Sequence, residues 1–119
     1  MKLPGPDHPI TITPASGRVL VKFGGEVIAD TTHALELREA SYPAVLYIPR
    51  GDAKMAHYAK TAHSTHCPYK GDASYFTLSA GDKTVPNSVW SYETLYPAMA
   101  EIKDHLAFYP QHVEIERSA

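Results

Sequence analysis

The feature that most constrains the fold is a series of short runs in which apolar and polar residues alternate, separated by glycine or proline. The first clear run covers residues 18–23, is followed directly by Gly24-Gly25, and leads into a second apolar run at residues 26–30. A period of two matches a half-buried strand, and glycine tolerates the positive φ of a tight turn. This segment therefore predicts a β-hairpin.

The same alternation recurs along the rest of the chain and predicts further strands. They cover residues 33–38, 45–48, 73–80, 85–92 and 113–116, with a turn at Gly81. In the run 85–92, Trp90 and Tyr92 are two residues apart and are predicted to share a face. Many short strands with turn signals between them are typical of an antiparallel β protein.

One short helix is predicted near the C-terminus. Pro97 suits a first helical position, because its missing N–H has no partner there in any helix. Met99, Ile102 and Leu106 follow at spacings of three and four, and proline after Tyr109 ends the pattern. The predicted fold class is therefore mainly β, with antiparallel sheets and one short C-terminal helix.

Length and composition predict one domain with a short N-terminal extension. Residues 1–9 contain three prolines and one glycine and are predicted to be an extended arm, and residues 10–119 a single domain. A chain of 119 residues with 44% hydrophobic residues is large enough for one core.

The net charge and the cysteine content limit which binding partners and which cellular compartment we expect. A net charge of −2 provides no basic surface for nucleic acid or an anionic membrane, so neither partner is expected. There is no apolar run of the ~20 residues that a membrane span needs, and residues 1–9 lack the apolar core of a secretory signal. One cysteine excludes an intrachain disulfide and suits a reducing compartment, so we expect a cytoplasmic protein.

Residues 63–72 contain an unusual density of groups that titrate or bind ligands. Cys67 could act as a nucleophile and His66 as an acid or base, but free cysteine is more often a small buried hydrophobe. His63, His66 and Cys67 are zinc-type ligands, yet the sequence shows no four-ligand set, so neither a metal nor another cofactor is expected. The alternative for the histidines is hydrogen bonding within a polar pocket.

The chain resembles a family known as domain of unknown function 427, found in bacteria and fungi. The resemblance spans residues 19–115 and rests on five blocks: Arg38-Glu39 with Tyr42-Pro43, Tyr47-Ile48-Pro49-Arg50, the run from Thr65 to Gly71, Val89-Trp90-Ser91-Tyr92, and the run from His105 to Pro110. It implies a β-tent, in which two antiparallel sheets meet at an angle, as in methionine sulfoxide reductase B and the ligand-binding domain of cereblon.

Two properties associated with such proteins lack support in this sequence. Many β-tent proteins bind structural zinc through paired cysteines, whereas this chain has one cysteine. The family is sometimes labelled nucleotidyltransferase-like, but there is no Gly-Ser pair followed by an Asp-x-Asp metal site and no glycine-rich phosphate loop.

Taken together, these residues predict one polar and aromatic ligand pocket. Its predicted lining is Arg38, Arg50, His66, Tyr69, Lys70, Trp90 and Tyr92, although a structural ion pair is the favoured interpretation for Arg38 with Glu39. Because cations and hydrogen-bond donors dominate, we expect a small anionic or carbonyl-bearing ligand. Two alternatives remain open at this point: an enzyme that uses His66 or Cys67 in the same pocket, and a protein-interaction module without small-molecule chemistry. The oligomeric state is left open.

Overall fold

A computed structural model describes all residues from 1 to 119, and strands make up most of it. The strands are β1 (Ile10–Pro14), β2 (Arg18–Phe23), β3 (Glu26–Thr31), β4 (Leu35–Glu39), β5 (Val45–Tyr47), β6 (Tyr58–Cys67), β7 (Gly71–Ala80), β8 (Lys83–Leu95), β9 (Ala107–Phe108) and β10 (Glu114–Ser118). Short 3₁₀-helices cover Arg50–Asp52, Met55–His57 and Pro97–Ile102. Every strand pairing is antiparallel, which confirms the predicted fold class.

The strands form three sheets, where the resemblance implied two. The N-terminal sheet has the order β1-β4-β5, the hairpin sheet β10-β2-β3, and the central sheet β6-β7-β8-β9. Ile48, which follows β5, forms an antiparallel bridge with Leu106, which precedes β9. The N-terminal and central sheets are therefore joined at their adjacent edges.

Two hydrophobic cores lie on opposite faces of the central sheet. On β7, Phe76 and Leu78 pack in the first core with residues of the hairpin sheet, whereas Ala73 and Tyr75 pack in the second core with residues of the N-terminal sheet. Successive side chains of a strand point to opposite faces, so one strand supplies both cores. Trp90 also packs against the second core, which contains Tyr92, and this confirms that the two share a face.

The Gly24-Gly25 turn joins β2 and β3 as predicted. Phe23 pairs with Glu26 across the turn, and the two glycines have φ values of 58° and 82°. Both values lie in the left-handed region, which only glycine enters without a steric cost. The hairpin is set by local sequence.

The predicted C-terminal helix is shorter and tighter than its sequence pattern indicated. It is a 3₁₀-helix that ends at Ile102, with Met99 and Ile102 buried. Leu106 does not continue it, because its N–H and C=O both bond to the backbone of Ile48, at 2.8 Å each. Asp104 has a φ of 62°, which breaks the helical path. Leu106, which would have formed the next helical turn, therefore pairs with Ile48 instead.

The N-terminal segment, predicted as an extended arm, contains a tight turn and contacts the domain. Gly5 and His8 form an antiparallel bridge, and the N–H of Lys2 donates to the carbonyl of Pro68 at 2.7 Å. His8 reaches the end of β4, where its Nε2 lies 2.7 Å from a carboxylate oxygen of Glu39. None of the helices is long and apolar enough to cross a membrane.

Candidate functional site

A polar region lies beside the second core, between the N-terminal and central sheets. Its members come from five parts of the chain: the N-terminal segment, the N-terminal sheet, the end of β6, the β6–β7 turn and β8. We call this set the Lys70 centre, and it consists of His8, Glu39, Tyr47, Cys67, Lys70 and Tyr92.

Lys70 is the cation of this centre, and it is buried. Only 9% of its side chain is exposed, and its ammonium donates a hydrogen bond to Glu39. The same nitrogen lies 3.7 Å from the sulfur of Cys67 and 5.9 Å from the ring centroid of Tyr92. A buried ammonium needs an opposite charge, and the carboxylate of Glu39 provides it.

Glu39 connects Lys70 to the N-terminal segment. Burial raises the pKa of its carboxyl, but hydrogen bonds from Lys70 and His8 act in the opposite direction and leave that pKa lowered. The carboxylate is therefore ionised at neutral pH and bonded to both neighbours. His8 in turn stacks on Tyr69, with 4.0 Å between the ring centroids.

The tyrosine hydroxyls of the centre are neutral. Burial raises the pKa of Tyr47 and of Tyr92 far above the usual range, so both phenols keep their protons. The indole N–H of Trp90 donates to the hydroxyl of Tyr47 at 3.3 Å. The hydroxyl of Tyr92 has no hydrogen-bond partner within the protein and is not fully enclosed.

An aromatic wall continues from Trp90 along the same face. Trp90 contacts Tyr109 with 4.7 Å between ring centroids, and Tyr47 edge-on at 6.5 Å. Burial, followed by a hydrogen bond with Tyr75, raises the pKa of Tyr109 to about 12. Apolar rings with polar tips therefore border the Lys70 centre, as they border many ligand pockets.

His66 lies on the other face of β6 and is exposed. Its Nδ1 is 2.7 Å from a carboxylate oxygen of Asp72, and its Nε2 is 3.4 Å from the hydroxyl of Tyr96. Cys67, the next residue, packs instead against the second core. Strand alternation separates the two side chains, so His66 is not the partner of the Cys67 thiol.

Arg50 lies across the central sheet from Lys70. Its guanidinium donates to Glu93 and Ser91 at 2.9 Å each and stacks 5.3 Å from the ring centroid of Phe76, in the first core. Burial raises the pKa of Glu93, but Lys60, Ser74 and Arg50 outweigh it and lower that pKa to about 2. This Arg50 cluster ties several elements together and shares no residue with the Lys70 centre.

Arg38 does not form the predicted ion pair with Glu39. Its guanidinium bonds to Glu36 at 3.2 Å, and 66% of the side chain is exposed. The reason is the pleat of β4, where Leu37 and Glu39 point inward and Arg38, which lies between them, points outward. Of the seven predicted ligand residues, Lys70, Tyr92, Tyr69 and Trp90 lie on one side of the central sheet, whereas Arg38, Arg50 and His66 lie elsewhere.

This whole β-domain matches one family. The family model described as a domain of unknown function (DUF427) covers residues 11–119. The chain belongs to the DUF427 family. No curated protein matches the chain.

The DUF427 family carries no assigned activity. The side chains of this domain are therefore the basis for its function. No three His, Cys, Asp or Glu side chains lie close enough together to hold a metal ion. Two principal cavities, of about 630 and 320 Å³, open on the surface, and none of the seven predicted ligand residues lines either of them.

Sequence reasoning missed two features of the Lys70 centre: His8, and Glu39 as the partner of Lys70. Glu39 is two residues from the buried Leu37, so alternation along β4 could have placed it inward. His8 carries no such signal, because its position depends on how the N-terminal segment returns to the domain.

Proposed function

We propose that this DUF427 domain binds a small molecule through an anionic or carbonyl oxygen at the Lys70 centre. The observation that carries the proposal is the hydroxyl of Tyr92. It keeps its proton because burial raises its pKa, it has no partner within the protein, and its ring lies beside the Lys70 ammonium. Only 8% of Tyr92 is exposed, and a hydroxyl donor covered this well without an acceptor in the protein favours a bound oxygen.

Lys70 supports the same ligand chemistry. An ammonium has three N–H groups, of which one bonds to Glu39 and a second faces the weak acceptor Cys67. In this proposal the third N–H and the Tyr92 hydroxyl are the donors to the ligand. Because Glu39 already balances the charge of Lys70, a neutral carbonyl suits the centre as well as a carboxylate does.

Fluorescence of Trp90, the only tryptophan, tests this proposal directly. Its indole N–H donates to Tyr47 within the same aromatic wall, so a ligand at the Lys70 centre should change its emission. We suggest pyruvate as the probe, since it carries both a carboxylate and a ketone. We expect a saturable change, and Tyr92→Phe should weaken binding about fivefold by removing one hydrogen bond.

Tyr58→Phe is the matched control, because it deletes another buried hydroxyl from the opposite core. That hydroxyl donates to the carbonyl of Ile28 at 2.9 Å, so its loss should lower stability but leave pyruvate binding unchanged. A response that both variants weaken equally, or that Tyr92→Phe leaves intact, would contradict the proposal.

A second candidate is an enzyme that uses Cys67 as a nucleophile. The ammonium of Lys70 lies 3.7 Å from the sulfur, and a nearby cation is what a reactive thiolate requires. Alkylation by iodoacetamide at pH 7 should then be slower in Lys70→Met than in the wild type, and unchanged in His66→Gln. Equal rates in Lys70→Met and the wild type would exclude Lys70 as the activating group.

We also propose a reducing compartment, such as the cytoplasm, for this protein. The single cysteine is half-buried and unpaired, and such thiols persist where glutathione keeps cysteines reduced. Cell fractionation followed by immunoblotting would locate it, and recovery with secreted proteins would contradict this assignment.

A further inference from the structure

The larger of the two principal cavities lies away from the Lys70 centre. It has a volume of about 630 Å³ and is bordered by the Gly24-Gly25 turn, the start of β8 and residues 111–114. Ligand pockets of proteins usually measure about 300–1,000 Å³, so this groove is large enough for a small organic molecule.

The charges lining the groove are mainly positive. Lys22 and Lys83 line it together with a single acid, Glu114. Lys22 is already bound to Glu116 at 2.6 Å. Lys83 has no carboxylate partner, and its ammonium lies 4.8 Å from the ring centroid of Phe23. The groove therefore contains one cation that lacks an anion.

The hairpin turn adds two unused hydrogen-bond donors. Neither Gly24 nor Gly25 donates its N–H to a backbone acceptor. A Cβ built on Gly25 would have no atom within 4 Å, so this part of the turn faces open space. Half-buried apolar side chains, Val27 and Val113, complete the lining.

We propose that this groove is a second binding site, for a small organic anion. Lys83 and the N–H groups of the turn would hold a carboxylate or phosphate oxygen, and Val27 and Val113 would contact an apolar body. The unpaired ammonium provides the charge complementarity, and backbone N–H groups without a backbone acceptor are common anion donors. The site shares no residue with the Lys70 centre and does not depend on the proposed function.

An amide NMR titration tests the groove. We suggest phenyl phosphate as the probe, with inorganic phosphate lacking the apolar body and benzoate carrying a carboxylate instead. We expect saturable shifts of the Gly24, Gly25 and Val113 amides with phenyl phosphate or benzoate, and weaker binding of inorganic phosphate. The stronger of the two aromatic anions identifies the head group.

Lys83→Met keeps the length of the side chain and removes its charge. It should weaken phenyl phosphate binding about threefold to fivefold, the usual scale for an exposed charge. Lys54→Met, at an exposed lysine outside the groove, is the matched control and should change nothing. Equal weakening by both variants, shifts without saturation, or shifts that map elsewhere would each overturn the proposal.

Discussion

At the scale of single residues, the Lys70–Glu39 pair is the most consequential contact. Only 9% of the Lys70 side chain and 16% of the Glu39 side chain are exposed. Two charges this well covered contribute little net stability as a pair, but removing one of them leaves the other uncompensated. Removing only one of the two side chains should therefore destabilise the domain more than replacing both of them.

Lys70→Met should therefore destabilise the domain by about 3 kcal/mol. Adding Glu39→Gln should restore much of that loss, because the double variant leaves no buried carboxylate that has lost its lysine partner. Urea denaturation of the wild type, both single variants and the double variant forms a complete cycle. Simple additivity of the two single losses would show that these side chains do not interact.

Glu93 gives the fold a defined acid sensitivity. Burial raises its pKa, but Lys60, Ser74 and Arg50 lower that pKa from 4.5 to about 2. A carboxyl with a depressed folded-state pKa stabilises the protein fully above its unfolded value, and this stabilisation is lost as the pH falls from about 4.5 to 2.

Glu93→Gln should remove this part of the acid sensitivity and cost about 1 kcal/mol at pH 7, a value reduced for solvent screening. Thermal unfolding between pH 2 and 7 measures both effects. Glu101→Gln, at an exposed position for which the structure gives no ion pair, is the control. Parallel pH profiles for wild type and Glu93→Gln would contradict the argument.

At the scale of elements, the Gly24-Gly25 turn contains one glycine that is constrained only by its positive φ and one that is also constrained by a close contact. Gly24 and Gly25 both have positive φ, but only Gly24 is close to another element. A Cβ on Gly24 would lie 2.3 Å from the carbonyl oxygen of Ala80, whereas a Cβ on Gly25 would meet nothing. The two positions therefore differ in steric clearance rather than in the sign of φ.

Gly25→Ala should destabilise the domain by about 1–2 kcal/mol, the cost of the left-handed conformation alone. Gly24→Ala should cost clearly more, because the backbone of the β7–β8 turn must also move. Chemical denaturation of the two variants measures the difference. Equal losses of stability in the two variants would mean that the backbone at Ala80 can move aside without a cost in free energy.

Strand alternation explains why some elements were predictable. β2 was predicted with the bounds that the structure shows, and the runs leading to β7 and β8 were located correctly. β6 was missed, because its exposed, polar residues carry no apolar alternation. The 3₁₀-helix was overextended, because Leu106 fits a helical spacing but pairs with Ile48 in the sheet.

At the scale of the whole molecule, the N-terminal segment closes one side of the Lys70 centre. His8 bonds to Glu39 and stacks on Tyr69, so its side chain joins the N-terminal segment both to β4 and to the β6–β7 turn. His8 and Glu39 are 31 residues apart in the sequence.

His8→Ala should lower the free energy of unfolding by about 1 kcal/mol, the usual value of one hydrogen bond. For a domain of this size, that corresponds to roughly 4 °C in Tm. His33→Ala, at an exposed histidine with only local contacts, should shift Tm much less. Calorimetry of both variants gives the comparison, and matching Tm values would contradict a stabilising role for His8.

The sequence by itself determined the strand periodicity, the Gly24-Gly25 turn, the mainly antiparallel class and the DUF427 family. These properties depend on residues close in the chain or on motifs in fixed order. Only the tertiary structure decided that Lys70 meets Glu39 and Tyr92 and that Arg50 lies across the sheet with Glu93. Such contacts depend on which strands become neighbours and on which face each side chain points to, and a shift of one residue reverses that face.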